Sequence, residues 1–440
     1  MEEARKTVDT AMEMVRGCGV KDARIALERA TENSATVING KIDKLLSNTG
    51  STLFIQMYMD GRYGSFSTNM LKKDELRKFI GAAAEATRLI APDGCRRLPD
   101  PAICFHGEKT DLRQYDGSIK DLTMADRIDR AMAASDEIWG TDKKLLSVET
   151  EWGDDVEYSY MADTQGFCGE TITSNHTIST NVSIKGRGDE KPESWWYESG
   201  IFREDAKVEG CSSKALKRAL DQLGPKKIKS GRYNVIIDST LSSKIVSPVI
   251  KALSGGYLQQ GNSFLGDSLG KRIFGENLTL MDKPFTPGLS GSRFYDDDGV
   301  ATKERFIIRD GVIENWFISA YYGLKMNIPV TISGPSVLEL KHKQKNNVNL
   351  RSLLKEVANG ILITDFNGGN CNSATGDFSY GIRGFLFENG ETVHPIREMN
   401  FTGNMIGLWN NLICSGDDRR HCSRWDLPSL AFEGADISGI

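Results

Sequence analysis

Asn-Gly and Asp-Gly pairs recur between runs rich in apolar and β-branched residues, at Asn39-Gly40, Asp60-Gly61, Asp310-Gly311, Asn367-Gly368 and Asn389-Gly390. Both residues of such a pair tolerate the positive φ that a two-residue hairpin turn demands, so each pair predicts two antiparallel strands side by side. The runs ARIALERATENSATVING and KIDKLLSNTG are expected to meet at Asn39-Gly40. STLFIQMYMDGRYGSFST repeats the pattern around Asp60-Gly61, and ERFIIRDGVIENWF around Asp310-Gly311. In TISTNVSI, Ile178, Thr180, Val182 and Ile184 alternate with polar residues, the period-two mark of a half-buried strand.

Helical periodicity appears in separate blocks. Val8, Ala11, Met12 and Val15 form one stripe near the N-terminus; Leu76, Phe79, Ile80, Ala83 and Ile90 form another after Asp74. Further helices are expected over 122–139, 214–223 and 350–359, and one from near Ser239 that kinks at Pro248. Helices and strands in separated runs predict an α+β protein with largely antiparallel sheets. The 440 residues are expected to divide at Gly224-Pro225 into an N-terminal α/β portion with antiparallel strands over 1–225, with subdomains 1–95 and 105–225, and a mostly β C-terminal domain over 226–440.

A formal charge of -5, with Lys and Arg spread along the chain, gives no electrostatic footprint for nucleic acid or an anionic membrane. The start of the chain lacks the pattern of a secretory leader, and no apolar run reaches the length of a membrane span. The 8 cysteines are scattered and form no CxxC, which fits a reducing, cytoplasmic location.

Familiar catalytic patterns are missing. No two of His106, His176, His342, His394 and His421 lie within one helical turn, so an HExxH zinc site is absent. His421-Cys422 is the one adjacent pair of soft ligands, but neighbouring residues seldom aim at one ion. Asp296, Asp297 and Asp298 lack the alternate spacing of a calcium loop and read as a charged turn ended by Gly299. GNSFLGDSLGKR has Leu265 and Arg272 where a phosphate loop needs Gly and Ser or Thr. GLSGS carries Ser292 where a nucleophile elbow has its last glycine. Ser247 and Lys251, four apart, would share a helical face, a spacing that a Ser/Lys hydrolase and an ordinary solvated helix both use. Trp195, Trp196 and Tyr197 form an aromatic cluster suited to packing or to stacking on a ligand.

The order of several segments resembles the TldD/PmbA family, peptidases once described as modulators of DNA gyrase. The matching pieces are MYMDGRYGSFST, YMADTQGF, KALKRALDQLGPKKIKSGRYNVIID, IKALSGGYLQQGNSFLGDSLGKRI with NLTLMD, FYDDDGVATKERFIIRDGVIENWF, and NSATGDFSYGIRGFLFENG with FTGN. The resemblance implies a dimer enclosing a channel in which unfolded peptides are cleaved. It also implies, for the TldD branch, a helix with HExxxH whose histidines and a distant cysteine hold zinc. Counted without gaps from Gly261, those positions are Val246, Ser247 and Lys251 in this chain. Valine offers no imidazole, serine no carboxylate to take a proton from the water, and an ammonium repels a dication. The chain is therefore expected to carry no metal, with Cys422 only loosely matching the family's cysteine, and to belong to the PmbA/TldE branch.

The partners expected on that basis are a zinc-carrying TldD-like subunit, a second copy of the chain, and an unfolded peptide. Thr375, Gly376, Asp377, Phe378 and Tyr380 are expected either to meet the peptide by strand addition or simply to build a turn. A non-catalytic, chaperone-like homodimer is the alternative from another class.

Overall fold

The structure is a computed structural model and describes residues 2–341, 348–420 and 423–439. Helix α1 (Glu2–Gly17) buries Val8, Ala11, Met12 and Val15, the stripe read from the sequence. It packs on a sheet begun by β1 (Asp22–Ile38), β2 (Lys41–Met59) and β3 (Arg62–Thr68). The turns between them take the expected positive φ, 52° and 73° at Asn39 and Gly40, and 49° and 75° at Asp60 and Gly61. The two strands expected on either side of Gly50 are a single strand, β2, because pairing with β1 continues without a break from Leu45 to Tyr58.

Helix α2 (Lys73–Leu89) buries Leu76, Ile80, Ala83 and Ala84, while Ile90 ends it as an exposed cap. After a linker come α3 (Met124–Asp136), β4 (Leu145–Asp163), β5 (Cys168–Ile184), β6 (Glu193–Gly200) and α4 (Cys211–Asp221). Thr123 and Asp126 close a reciprocal capping box at the start of α3, satisfying backbone donors that the first turn leaves free. The strand order is β3-β2-β1-β4-β5-β6. Since β1 pairs with β4 from Arg24↔Asp163 to Ile38↔Glu149, one sheet runs through both of the expected N-terminal subdomains. On β5, Ile178, Thr180, Val182 and Ile184 are buried, as their alternation predicts.

The remaining elements are β7 (Gly231–Ile237), α5 (Ser242–Ala252), α6 (Gly255–Gln259), β8 (Leu280–Asp282), β9 (Arg305–Arg309), β10 (Val312–Ile313), α7 (Ala320–Met326) and β11 (Leu338–Leu340). They are followed by α8 (Leu350–Val357), β12 (Gly360–Cys371), β13 (Asp377–Glu388), β14 (Glu391–Asn404), α9 (Met405–Asn410), β15 (Leu412–Ser415), β16 (Trp425–Asp426) and β17 (Leu430–Gly439). One sheet is ordered β10-β9-β8-β11-β16, the other β14-β13-β12-β7-β17-β15. The extra β14–β17 pairing closes β14, β13, β12, β7 and β17 into a barrel-like ring, with β15 attached outside it to β17.

Two further expectations are corrected. Asn367-Gly368 is no hairpin turn: it lies inside β12 at a bulge between Phe366 and Gly369, with β13 paired on both sides of it. The helix expected from Ser239 does run through Pro248 but begins at Ser242. Residues 238–241 form a tight turn instead, in which Asp238 Oδ1 accepts from the Thr240 backbone N–H at 2.9 Å and Leu241 N–H donates to the Asp238 carbonyl at 2.8 Å.

Candidate functional site

Helix α5 turns Ile245, Val246, Val249 and Ile250 into the core shared with β7, β12 and β13, an i, i+1, i+4, i+5 stripe. Ser242 anchors its start by donating from Oγ to the Pro428 carbonyl at 2.6 Å. Val246 is thus a core residue, Ser247 is half-buried beside Pro248, and Lys251 is exposed on the last turn. Lys251 Nζ lies 5.9 Å from the Tyr257 ring centroid.

The loop between β12 and β13 is a tightly bonded turn. Asn372 N–H donates to the Asp377 carbonyl, and Gly376 N–H to the Asn372 carbonyl, each at 2.8 Å. Gly376 has φ +80°, and a Cβ there would sit 3.1 Å from Phe264 Cγ, so both conformation and space call for glycine. Asn404 Nδ2 donates to Asp377 Oδ1 at 2.9 Å and to the Thr375 carbonyl at 2.8 Å. These contacts from Asn404, with one from Thr375 Oγ1 at 2.7 Å, lower the Asp377 pKa.

The structure brings this turn near the end of α5. Burial raises the pKa of the Cys371 thiol; Asp377 raises it further and Lys251 opposes both. Lys251, Cys371 and Asp377 therefore share one electrostatic neighbourhood, which their separation in sequence conceals. Phe378 and Tyr380, expected at a peptide-binding edge, are buried and form an aromatic stack at 5.5 Å between centroids. Their strand has no free edge, since Phe378 pairs with both Cys371 and Gly403, and Tyr380 with both Gly369 and Phe401. Strand addition at β13 is closed; the exposed members of the set are Thr375 and Asp377.

Trp195 stacks on Tyr197 at 5.7 Å, and Arg420 lies with Cζ 4.4 Å from the centroids of both Trp196 and Tyr197. The cluster is thus a docking post for the C-terminal segment, reinforced by Glu198 at 3.7 Å. His421 and Cys422 lie outside the described residues. The run 296–298 is a turn: buried Asp296 accepts from the backbone N–H groups of Asp298, Val300 and Ser333, and Gly299 has φ +76°.

Sequence reasoning missed a buried polar network in the N-terminal sheet. Arg127 grips Asp154 through Nε at 2.6 Å and Nη2 at 2.7 Å, and Trp152 Nε1 donates to the same carboxylate at 3.1 Å. His176 Nε2 lies 3.2 Å from Asp116, and burial lowers its pKa against the opposing pull of Asp116 and Asp154. The only signal in the sequence is polar residues at inward positions of β4 and β5.

The donor set of α5 does not suit zinc. Val246 has no donor atom, Ser247 only a hydroxyl and Lys251 only an amine; and among the described residues no group of three His, Cys, Asp or Glu side chains converges on a common point.

Fold and site together define an α+β protein whose C-terminal half carries a metallopeptidase-type domain: residues 230–439 match the family model described as the PmbA/TldA metallopeptidase C-terminal domain. Residues 117–223 match the central domain of the same metallopeptidases and residues 23–87 their domain 1. The chain belongs to the PmbA/TldD family.

It is 27% identical to Metalloprotease PmbA of Escherichia coli O157:H7, over 100% of this chain and 96% of that protein. A Metalloprotease PmbA homolog of Haemophilus influenzae is 25% identical, with the same coverage. A solved structure from Bacteroides thetaiotaomicron, described as a modulator of DNA gyrase, is 41% identical with TM-score 0.97 over 100% of both chains. TldE of Thermococcus kodakarensis, at 19% identity, shares the fold with TM-score 0.83 over 98% of this chain and 100% of its own.

Proposed function

We propose that this chain is a metal-free, PmbA/TldE-like subunit of a TldD/TldE-type metalloprotease that acts on unfolded peptides in the cytoplasm. The observation that carries the reading is α5, an intact helix whose Val246 faces the core and whose Ser247 and Lys251 offer an ion no suitable donor set. Zinc and the water it activates are then supplied by a TldD-like partner, and this chain contributes wall and peptide contacts. Thr375, Asp377 and Lys251 are the exposed groups near α5 that would meet the substrate. They would do so through side chains, because the β13 backbone is already paired on both sides. Among the described residues no helix is long and apolar enough to cross a membrane.

Reconstitution tests this reading. An unfolded peptide should be cleaved by the mixture of this chain with a TldD-like chain from the same cell, and by neither alone. Cleavage by this chain after exhaustive chelation, lost in Ser247→Ala, would instead point to a Ser/Lys hydrolase. The exposed Trp195 face stacked on Tyr197 favours a second reading, a peptide-sheltering homodimer, which peptide binding without cleavage by any pairing would support.

A further inference from the structure

A cleft of about 440 Å³ with a mixed polar and apolar lining opens between the outer face of the N-terminal sheet and the loop that carries GLSGS. None of its lining residues belongs to α5 or to the 371–377 turn. Its floor is sheet surface on which Gln56, Ser159 and Thr173 stand beside Phe54 and Met161, and its roof holds Arg293 and Arg424.

The two arginines are placed differently. Arg293 is built in, donating from Nη2 to the Gly334 carbonyl at 2.7 Å and from Nε to Ser336 Oγ at 3.3 Å, with Nη1 3.6 Å from Asp297. Arg424 is held by its backbone, whose carbonyl accepts from Leu338 N–H at 2.9 Å. The GLSGS loop presses against it: a Cβ on Gly291 would lie 2.5 Å from Arg424 Cβ and 2.5 Å from the Ser336 carbonyl oxygen. Among the described residues the Arg424 guanidinium has no hydrogen-bonding partner. Arg424 is an exposed residue; partial desolvation and then Arg293 lower its pKa, with Asp297 opposing. A third arginine, Arg24, lines the same cleft, is 2% exposed and has an unpartnered Nε; its Nη groups hold the 297–298 turn.

A guanidinium fork without a partner among the described residues, in a cleft that a second arginine also lines, suits a planar monoanion. The acids Asp297 and Glu28 in the same cleft repel any anion, and a dianion such as phosphate more than a monoanion; burial, Glu157 and Asp297 already raise the pKa of Glu28. The neutral amides and hydroxyls of the floor suit backbone N–H and C=O groups.

We propose that this cleft binds the C-terminal carboxylate end of an extended peptide, with the Arg424 guanidinium on the carboxylate and Arg293 beside it. The proposal deepens the peptide-processing reading and rests on it for the choice of a peptide. It needs neither metal nor partner to be tested.

The probe is an N-terminally fluorescein-labelled, unstructured decapeptide, prepared as the free acid and as the C-terminal amide, titrated with the isolated full-length chain and read by anisotropy. The free acid should bind about tenfold more tightly than the amide, the scale of one charge-assisted bidentate contact. Arg424→Gln should erase that preference while melting with the wild type, since among the described residues its side chain has no hydrogen-bonding partner. Ala26→Trp, which fills the cleft from the sheet side, should weaken the free acid alike. Equal binding of acid and amide, no binding of either, or an unchanged preference in both variants would overturn the site. Any of these results alongside full peptide cleavage by the reconstituted pair removes the cleft and leaves the subunit reading standing.

Discussion

Asp154→Ala is expected to be among the most destabilising single changes in the N-terminal sheet. The Asp154 side chain is 0% exposed and that of Arg127 6%, with two short hydrogen bonds between them. Removing the carboxylate strands a buried guanidinium and the Trp152 indole N–H. Breaking one side of a buried pair costs about 3–5 kcal/mol, because the remaining charge keeps its desolvation penalty and loses its compensation. That is a large share of a typical stability of roughly 5–15 kcal/mol. Asp154→Asn, which retains one acceptor, should lose about half as much. The exposed Glu2–Lys6 pair is the control: with side chains 84% and 74% exposed, Glu2→Gln should change stability by no more than ~0.5 kcal/mol. Urea unfolding followed by tryptophan fluorescence measures all three. A loss below about 1 kcal/mol in Asp154→Ala would refute the reasoning, since it would mean that water or a neighbouring group reaches Arg127.

Gly376→Val should destabilise by about 1–2 kcal/mol or more, read as a lowered Tm, because valine meets both the left-handed φ and the Phe264 ring. Burial raises the Asp282 pKa to about 6, above its unfolded value, so the fold takes up a proton there more readily than the unfolded chain. On this group's account stability falls as pH rises from about 4 through 6, and Asp282→Asn should flatten that slope in urea midpoints measured across the range. Arg420→Ala removes a cation shared by Trp196 and Tyr197, at a cost of about 1–2 kcal/mol, and should speed limited proteolysis of the segment 417–424.

Local chemistry was legible in the sequence; long-range pairing was not. Asn39-Gly40 and Asp60-Gly61 are the turns their φ preferences demand, and from Ser174 to Ile184 β5 buries every second residue as its alternation requires. Asn367-Gly368 misled because the same pair serves a bulge when both flanks go on pairing with one strand. Gly50 misled in the opposite direction, standing inside a strand whose neighbour holds it in register. The β1–β4 ladder and the parallel β7–β12 contact join residues more than a hundred positions apart, and no periodicity encodes such a partner.

The site divides in the same way. The polar character of Ser247 and Lys251 could be read from the chain, but not that Val246 points into the core, nor that Lys251 and Asp377 act on the same thiol. Phe378 and Tyr380 looked like a peptide edge because alternation marks a strand without saying whether both its sides are taken. The meeting of Arg293 and Arg424 in the lining of one cleft is likewise a product of tertiary structure alone.

Elemental analysis of the isolated, full-length chain, purified without added metal and then dialysed against zinc, tests the central claim most directly. Substoichiometric zinc is the expected result, unchanged in Ser247→Ala, with full occupancy appearing only in complex with a TldD-like chain. One tightly held zinc per isolated chain, lost when Val246, Ser247 or Lys251 is replaced, would contradict it.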